Sequence, residues 1–324
     1  MNQRRNILLG AVGTVGTLLG LPAALAQPAP QVMKMIIGFP PGGAGDQFAR
    51  ILSEHLQQEL QTAIVIENRP GAGGLTAVAA FRRGAPDGYT LMMHTGSTAI
   101  SAPISRKIAP YNSVEDFAWL ALLSETPFLI AVNPKLPVTD LKSLVAYSKL
   151  QNGKMSYGHA GLGTTVHLAA ELLKDRSGLV ATDIPYAGSG PALTDTIGGN
   201  VDFIVETYGT LIQQHKAGRV RIIGALAPKR LAELPDIGTA LEIGLDVVAG
   251  TANLVAAPLG TPPERQAVIA KGVAAAMARP AMQQQLEILG IHPVLNSNPQ
   301  DAKAYVAREV ARWTPLVKKL GIAL

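Results

Sequence analysis

Hydrophobic positions along this 324-residue chain follow two alternating rhythms: short, nearly unbroken apolar runs, and stretches in which apolar residues recur every three or four positions. Glycine, proline or asparagine marks each change. Residues 33–39 (MKMIIGF) form the first run, ended by Pro40-Pro41, and Phe48, Ile51, Leu52, Leu56 and Leu60 then recur at helical spacing. A second strand is expected at 63–67, a glycine-rich turn at 68–74 and a helix through Phe81, followed by a strand at 89–94 that opens into Thr95-Gly96-Ser97-Thr98. After Asn133-Pro134 the rhythm restarts. Strand, turn and helix are expected at 155–157, 158–165 and 167–173, again at 182–186, 187–190 and 191–197, and again at 201–205, 206–209 and 210–216, before a last run at 220–226. Strands alternating with helices predict an α/β fold of mainly parallel sheets flanked by helices.

Two series predict two sheets. The apolar segments 128–132 and 253–257, each closely followed by proline, are the expected crossings between them. The first domain is then discontinuous, 27–128 plus 253–324, completed by helices near 268–277 and 302–316, and 129–252 forms the second. In parallel sheets with right-handed crossovers the turns after the strands share one edge, so the glycine turns of each domain converge on a cleft between the two.

The first such turn, Phe39-Pro40-Pro41-Gly42-Gly43-Ala44-Gly45-Asp46, has the chemistry of an anion receptor. Without side chains in the way a ligand can approach backbone N–H groups, and the following helix N-terminus adds about half a positive charge. Tight strand-to-helix packing is the alternative use of such glycines. Asp46 suits an N-cap or first-turn position.

Composition narrows the classes. With 48% hydrophobic and 16% charged residues the chain can bury large cores, and with no cysteine it holds no disulfide, thiolate metal site or cysteine nucleophile. The first 26 residues read as an export signal: Arg4-Arg5, an uncharged apolar segment, then Ala24-Leu25-Ala26 before Gln27. An uncleaved anchor is the alternative, and the arginine pair admits either the general or the twin-arginine route. Removing Arg4 and Arg5 lowers the formal charge from +5 to +3, with no basic run interleaved with aromatics, so no nucleic-acid partner is expected.

Catalytic motifs fail one by one. Ala187-Gly188-Ser189-Gly190-Pro191 lacks the outer glycines of a nucleophile elbow, no glycine loop is followed by the P-loop lysine, and Gly71 and Gly73 do not continue into a dinucleotide fingerprint. His159 and His167 stand eight apart, a spacing that does not suggest a metal site, and no H-E-x-x-H accompanies them. A structural role or a pocket contact is open for each. Asp46 and Glu206 could pair for acid–base work, but Asp46 as a helix cap and Glu206 at the cleft or a solvent-facing strand end are the simpler readings. No metal or other cofactor is expected.

At these residues the chain resembles the tripartite tricarboxylate transporter receptors, the Bug-type periplasmic solute-binding proteins. The resemblance is carried by the 39–46 turn with Ala49-Arg50, by Glu67-Asn68-Arg69-Pro70-Gly71-Ala72-Gly73-Gly74, by Ala85-Pro86-Asp87-Gly88-Tyr89-Thr90-Leu91, by Ala160-Gly161-Leu162-Gly163-Thr164-Thr165 with His167-Leu168, and by Pro185-Tyr186-Ala187-Gly188 with Pro191-Ala192-Leu193-Thr194-Asp195. It spans nearly all of the chain after the signal. It implies a two-domain, type II Venus-flytrap receptor, not an enzyme, that acts in the periplasm as a monomer. Such a receptor captures a small organic acid and hands it to integral-membrane subunits of the TctA/TctB type. Carried over by position, Phe39, Gly43, Ala44 and Asp46 would cradle the ligand carboxylate, and Thr95, Gly96 and Ser97 would continue that wall. His159, Ala160, Gly163, Thr164 and Thr165 would face them, with Ala187, Gly188 and Glu206 alongside.

Three departures bear on the ligand. Relatives commonly carry lysine where this chain has Ala187, aspartate where it has Glu206, and serine or alanine where it has His159. Losing a cation from the second wall weakens the case for citrate and favours a monocarboxylate or aromatic acid, with a dicarboxylate still open. A sensory receptor using the same cleft, or an exported α/β enzyme, are the competing readings.

Overall fold

The computed structural model describes residues 31–42 and 44–322. The export signal expected at 1–26 and Gly43 lie outside them. The elements run β1 (Met33–Ile37), α1 (Ala44–Leu60), β2 (Ile64–Asn68), α2 (Leu75–Phe81), β3 (Thr90–Thr95), a short coil of helix at Ser97–Ser101 that continues into α3 (Ala102–Ile104), and β4 (Phe117–Val132). Then come α4 (Leu141–Leu150), β5 (Ser156–His159), α5 (Thr165–Ser177), β6 (Thr182–Pro185), α6 (Ser189–Gly198), β7 (Phe203–Thr207), α7 (Tyr208–Lys216) and β8 (Arg221–Ala225). β9 (Gly250–Pro258), α8 (Pro263–Ala278), α9 (Pro280–Ile288) and α10 (Pro299–Leu320) complete the chain.

The strands form two sheets that share β4. The first has the order β2-β1-β3-β9-β4, with β1 parallel to β2 and β3 and with β9 antiparallel to its neighbours β3 and β4. The second has the order β6-β5-β7-β4-β8, with β5 parallel to β6 and β7 and with β4 antiparallel to β7 and β8. Each sheet is therefore mainly parallel with one reversed strand. This is the two-lobed α/β architecture the alternation predicts.

Both faces of the first sheet are covered, which is why its strands read as continuous apolar runs. Met33, Met35 and Ile37 of β1 pack in one cluster with Phe48, Leu52 and Leu56 of α1 and Ile269, Val273 and Met277 of α8, while Ile36 turns to the opposite cluster. Phe48, Leu52 and Leu56 are fully buried, each contributing about 1.5–3 kcal/mol by leaving water. In the second lobe Leu129 and Ala131 of β4 and Ile204 of β7 pack against Leu211 and Ile212 of α7.

The passages between lobes differ from expectation. Residues 128–132 are only the far half of a 16-residue strand, because 117–132 stays extended through both sheets. Residues 253–257, expected as the return crossing, lie wholly inside the first sheet, and the chain returns before Gly250. Proline after 257 marked the strand's end, not its crossing. Gly250 sits where β9 meets β4 so tightly that a Cβ there would stand 2.5 Å from the Thr126 carbonyl oxygen. Helix α4 carried a signal that went unused: Asp140 caps it by accepting from the Ser143 N–H at 2.7 Å, and the Ser143 hydroxyl accepts from the Asp140 N–H at 3.1 Å.

Candidate functional site

A cleft of about 720 Å³ lies between the lobes. Of the residues expected to form it, Phe39, Thr95, Ser97, Ala160, Thr164, Thr165, Ala187, Gly188 and Glu206 line it. Asp46, Gly96, His159 and Gly163 are not among its lining residues. Ala44 opens α1 next to Gly45, which does line it.

The first wall is built by glycine contacts. A Cβ on Gly38 would lie 2.9 Å from the Gly74 Cα, and one on Gly74 would lie 2.4 Å from the Thr98 methyl carbon, so the turns after β1, β2 and β3 interlock where only glycine fits. Asp46, in the first turn of α1, is buried and uses both carboxylate oxygens inward. It accepts from the Gly42 N–H at 2.9 Å, Asn68 Nδ2 at 2.8 Å, and Arg50 Nε and Nη2 at 2.9 and 3.1 Å. Burial opposes its ionisation, but the bonds from Arg50, Gly42 and Asn68 outweigh burial and hold the carboxyl below its ordinary range. Asn68 also donates to the Phe39 carbonyl at 3.0 Å, so Asp46 and Asn68 tie the turn down from behind. Asp46 shapes the cradle; an anion there would repel a carboxylate ligand.

On the second wall three long helices aim their N-termini at the cleft, and none has a side-chain cap. The side chains of Thr164 before α5 and Thr207 before α7 accept no N–H bond from their helices, and Gly188 before α6 has no side chain to offer. Away from the cleft α4 and α10 are capped by Asp140 and Asn298, whereas α8 and α9 open with proline and have no side-chain cap. Open first-turn N–H groups with their dipole form an anion site. Two of the three already face a carboxylate. Glu206 ends β7 buried between α6 and α7, accepting from the Ser189 hydroxyl and from the Thr207 N–H at 3.2 Å. Burial pushes its carboxyl up, against the hydrogen bonds from Ser189, Thr207 and Thr210.

The histidines occupy a third place, behind the wall. Their separation of eight misleads, because β5 and α5 fold together and stack the two rings at 4.4 Å, with possible ligand atoms of His159, His167 and Asp183 all within 4.8 Å. Hydrogen bonds are the better guide to their chemistry. The Gly161 N–H donates to His159 Nδ1 at 3.2 Å and the Gly163 N–H to His167 Nδ1 at 3.1 Å, which places each ring proton on Nε2. A metal on either Nε2 would move that proton to Nδ1, against the amide hydrogen. Both rings thus brace the 161–163 turn in their neutral form. Burial lowers both pKa values, that of His167 to about 4 with help from the neighbouring His159.

The lobes touch on both sides of the opening. Ser97 Oγ lies 3.4 Å from Thr165 Oγ1, the Ser105 hydroxyl 3.4 Å from the Gly163 carbonyl, and at the other lip a Cβ on Gly209 would stand 2.4 Å from the Leu289 carbonyl. Gly96 serves this contact, since its missing side chain leaves room for Thr251 and Thr165. Sequence reasoning overlooked Arg106, Ser189, Asn253 and the 289–291 loop, all of which line the cleft. Arg106 and Asn253 sit in no glycine turn, Ser189 sits inside the 187–190 turn but drew attention only as a nucleophile, and the 289–291 loop enters from the distant C-terminal part.

Comparison with known proteins places this arrangement. The family model of the tripartite tricarboxylate transporter family receptor matches residues 48–322. Protein BugT of Bordetella pertussis is 32% identical over 329 residues, covering 100% of both chains. The solved periplasmic binding protein BugD superposes with a TM-score of 0.82 at 31% identity, over 90% of this chain and 98% of its own. The R. palustris protein Rpa4515, solved with adipate, gives 0.84 at 30% identity with the same coverage. The matching family is one of transport receptors, not enzymes, and the fold of this chain is that of the periplasmic binding protein BugD. The chain belongs to the tripartite tricarboxylate transporter receptor family.

Proposed function

We propose that the protein is a periplasmic receptor that captures a small organic carboxylate in the interlobe cleft and delivers it to a membrane permease with subunits of the TctA/TctB type. The carrying observation is the convergence of uncapped helix N-termini on a cleft whose walls already touch. With the α6 and α7 termini facing Glu206, the α5 terminus and the 39–45 turn are left for the ligand's carboxylate. The adipate bound by Rpa4515 supports this reading. Export by the 1–26 segment would bring the chain to that compartment.

Thermal-shift measurements with mono-, di- and tricarboxylates test it. A bound acid at a hundredfold excess over Kd adds about 2.7 kcal/mol, which raises Tm by several degrees. No shift with any carboxylate, alongside a clear shift with a neutral or cationic solute, would refute the reading.

Capture then works by closure. The lobes are joined by two passages, 126–128 and 249–250, and a ligand touching both walls favours the closed state by its differential affinity for it. Small-angle scattering should give a smaller radius of gyration with ligand than without. An unchanged radius at saturation would mean a rigid pocket.

A further inference from the structure

Among the described residues lining the cleft, Arg106 is the one cation and Glu206 the one carboxylate. The segment that carries Arg106 is held firmly. The Tyr111 hydroxyl donates to the Thr98 carbonyl at 2.6 Å and the Ser105 hydroxyl to the Ser101 carbonyl at 2.7 Å. Ser105 also reaches the Gly163 carbonyl at 3.4 Å, so Arg106 stands where the first wall meets the second. Of the other arginines of the first lobe, Arg50, Arg69 and Arg82 are paired with Asp46, Glu67 and Asp116, and none of the rest lines the cleft. Arg106 has no carboxylate partner among the described residues. Glu206 is engaged on its own lobe by Ser189 and Thr207.

These charges do not balance for a monocarboxylate. A single ligand carboxylate satisfied by backbone N–H groups would leave a half-buried guanidinium unpaired in a closed cleft, stripped of water without compensation. Guanidinium presents a planar fork of donors matched to a carboxylate. We propose that Arg106 binds a second carboxylate of the solute and makes this receptor selective for dicarboxylates. The inference rests on the carboxylate reading above. It also revises the expectation drawn from Ala187, because the cation missing from the second wall is supplied by the first lobe.

Calorimetric titration of the natively purified protein with succinate, glutarate and adipate, and with the monoamide of each, tests the idea on wild type, Arg106→Gln and Arg106→Lys. The monoamide keeps one carboxylate and the size of the diacid. In the wild type the preferred diacid should bind roughly 10- to 100-fold tighter than its monoamide. Arg106→Gln should reduce that ratio to below about threefold, with the larger loss falling on the diacid, and Arg106→Lys should restore part of it. An unchanged Tm of the unliganded variants shows that the fold is intact. An undiminished ratio in Arg106→Gln, or a wild type indifferent between diacid and monoamide, overturns this inference alone. Failure of every acid and monoamide to bind wild type overturns the carboxylate reading, and this inference with it.

Discussion

Lowering the pH from 6.5 to 4 destabilises the wild-type protein relative to a His94→Phe variant, by about 1.4 kcal/mol per unit and about 3 kcal/mol in all. His94 lies on β3, fully buried, its ring centroid 4.9 Å from those of Phe117 and Trp119 and 5.6 Å from that of Phe81. Burial pushes its pKa down to about 3 from an ordinary 6.5. Below pH 6.5 the unfolded chain takes up a proton that the folded chain refuses, so stability falls with pH until the folded pKa is reached. His159 and His167 act in the same direction. Glu206 and Glu125, whose carboxyls burial pushes up, act in the opposite one: they bind protons when folded and gain stability as pH falls toward 4.5. Only the difference between variant and wild type isolates His94. Phenylalanine keeps a ring among the aromatics and removes the titration. Parallel urea-unfolding curves across this range would dismiss the burial of an uncharged imidazole as the cause.

Gly74→Ala should destabilise the fold by about 2–4 kcal/mol and weaken ligand binding at least tenfold. Gly74 adopts φ +93°, a left-handed conformation that costs an L residue about 1–2 kcal/mol, and the added Cβ would stand 2.4 Å from the Thr98 methyl carbon. Thr98 cannot simply rotate away. Its hydroxyl accepts from the Thr95 N–H at 3.1 Å and donates to the Thr95 carbonyl at 3.2 Å, so relief must come from moving the 71–74 turn that lines the cleft. Gly198→Ala is the control, since it lies in α6 away from the cleft and a Cβ there would meet only Asn200 Nδ2 at 3.6 Å, an ordinary contact. Unfolding curves and ligand titration of both variants decide. Equal losses in the two would mean that the interlocked turns are not what holds the first wall.

Much of this was legible in the chain because its signals are local. The apolar run ending at Pro40-Pro41 and the periodic residues from Phe48 to Leu60 are set by neighbours in sequence, and β1 and α1 form where they indicate. The glycines of 71–74 likewise announce a backbone that needs positive φ. What could not be read is set by partners distant in the chain. Residues 253–257 look the same whether they cross between sheets or sit inside one, and only pairing with both β3 and β4 decides. His159 and His167 look unrelated at a separation of eight until β5 and α5 fold back on each other. Asp46 reads as a ligand contact because it follows a glycine turn suited to anions, and Arg50 and Asn68 are what claim it. Arg106 gives no pattern at all, since a single arginine in a loop acquires meaning only from the cleft it faces.

The position of β9 also fixes the order in which the molecule can be completed. β9 lies between β3 and β4 in the first sheet, so the sheet begun at Met33 stays open at its middle until Pro258 has been made. Until then β3 has one free edge and the near half of β4 has no partner, and joining them requires contacts between residues about half the chain apart for β3 and about two-fifths apart for β4. Folding dominated by such distant pairings is slow and leaves strand edges exposed to other chains. Only the first lobe of a nascent copy waits in this way, because every strand of the second sheet has been made by Ala225.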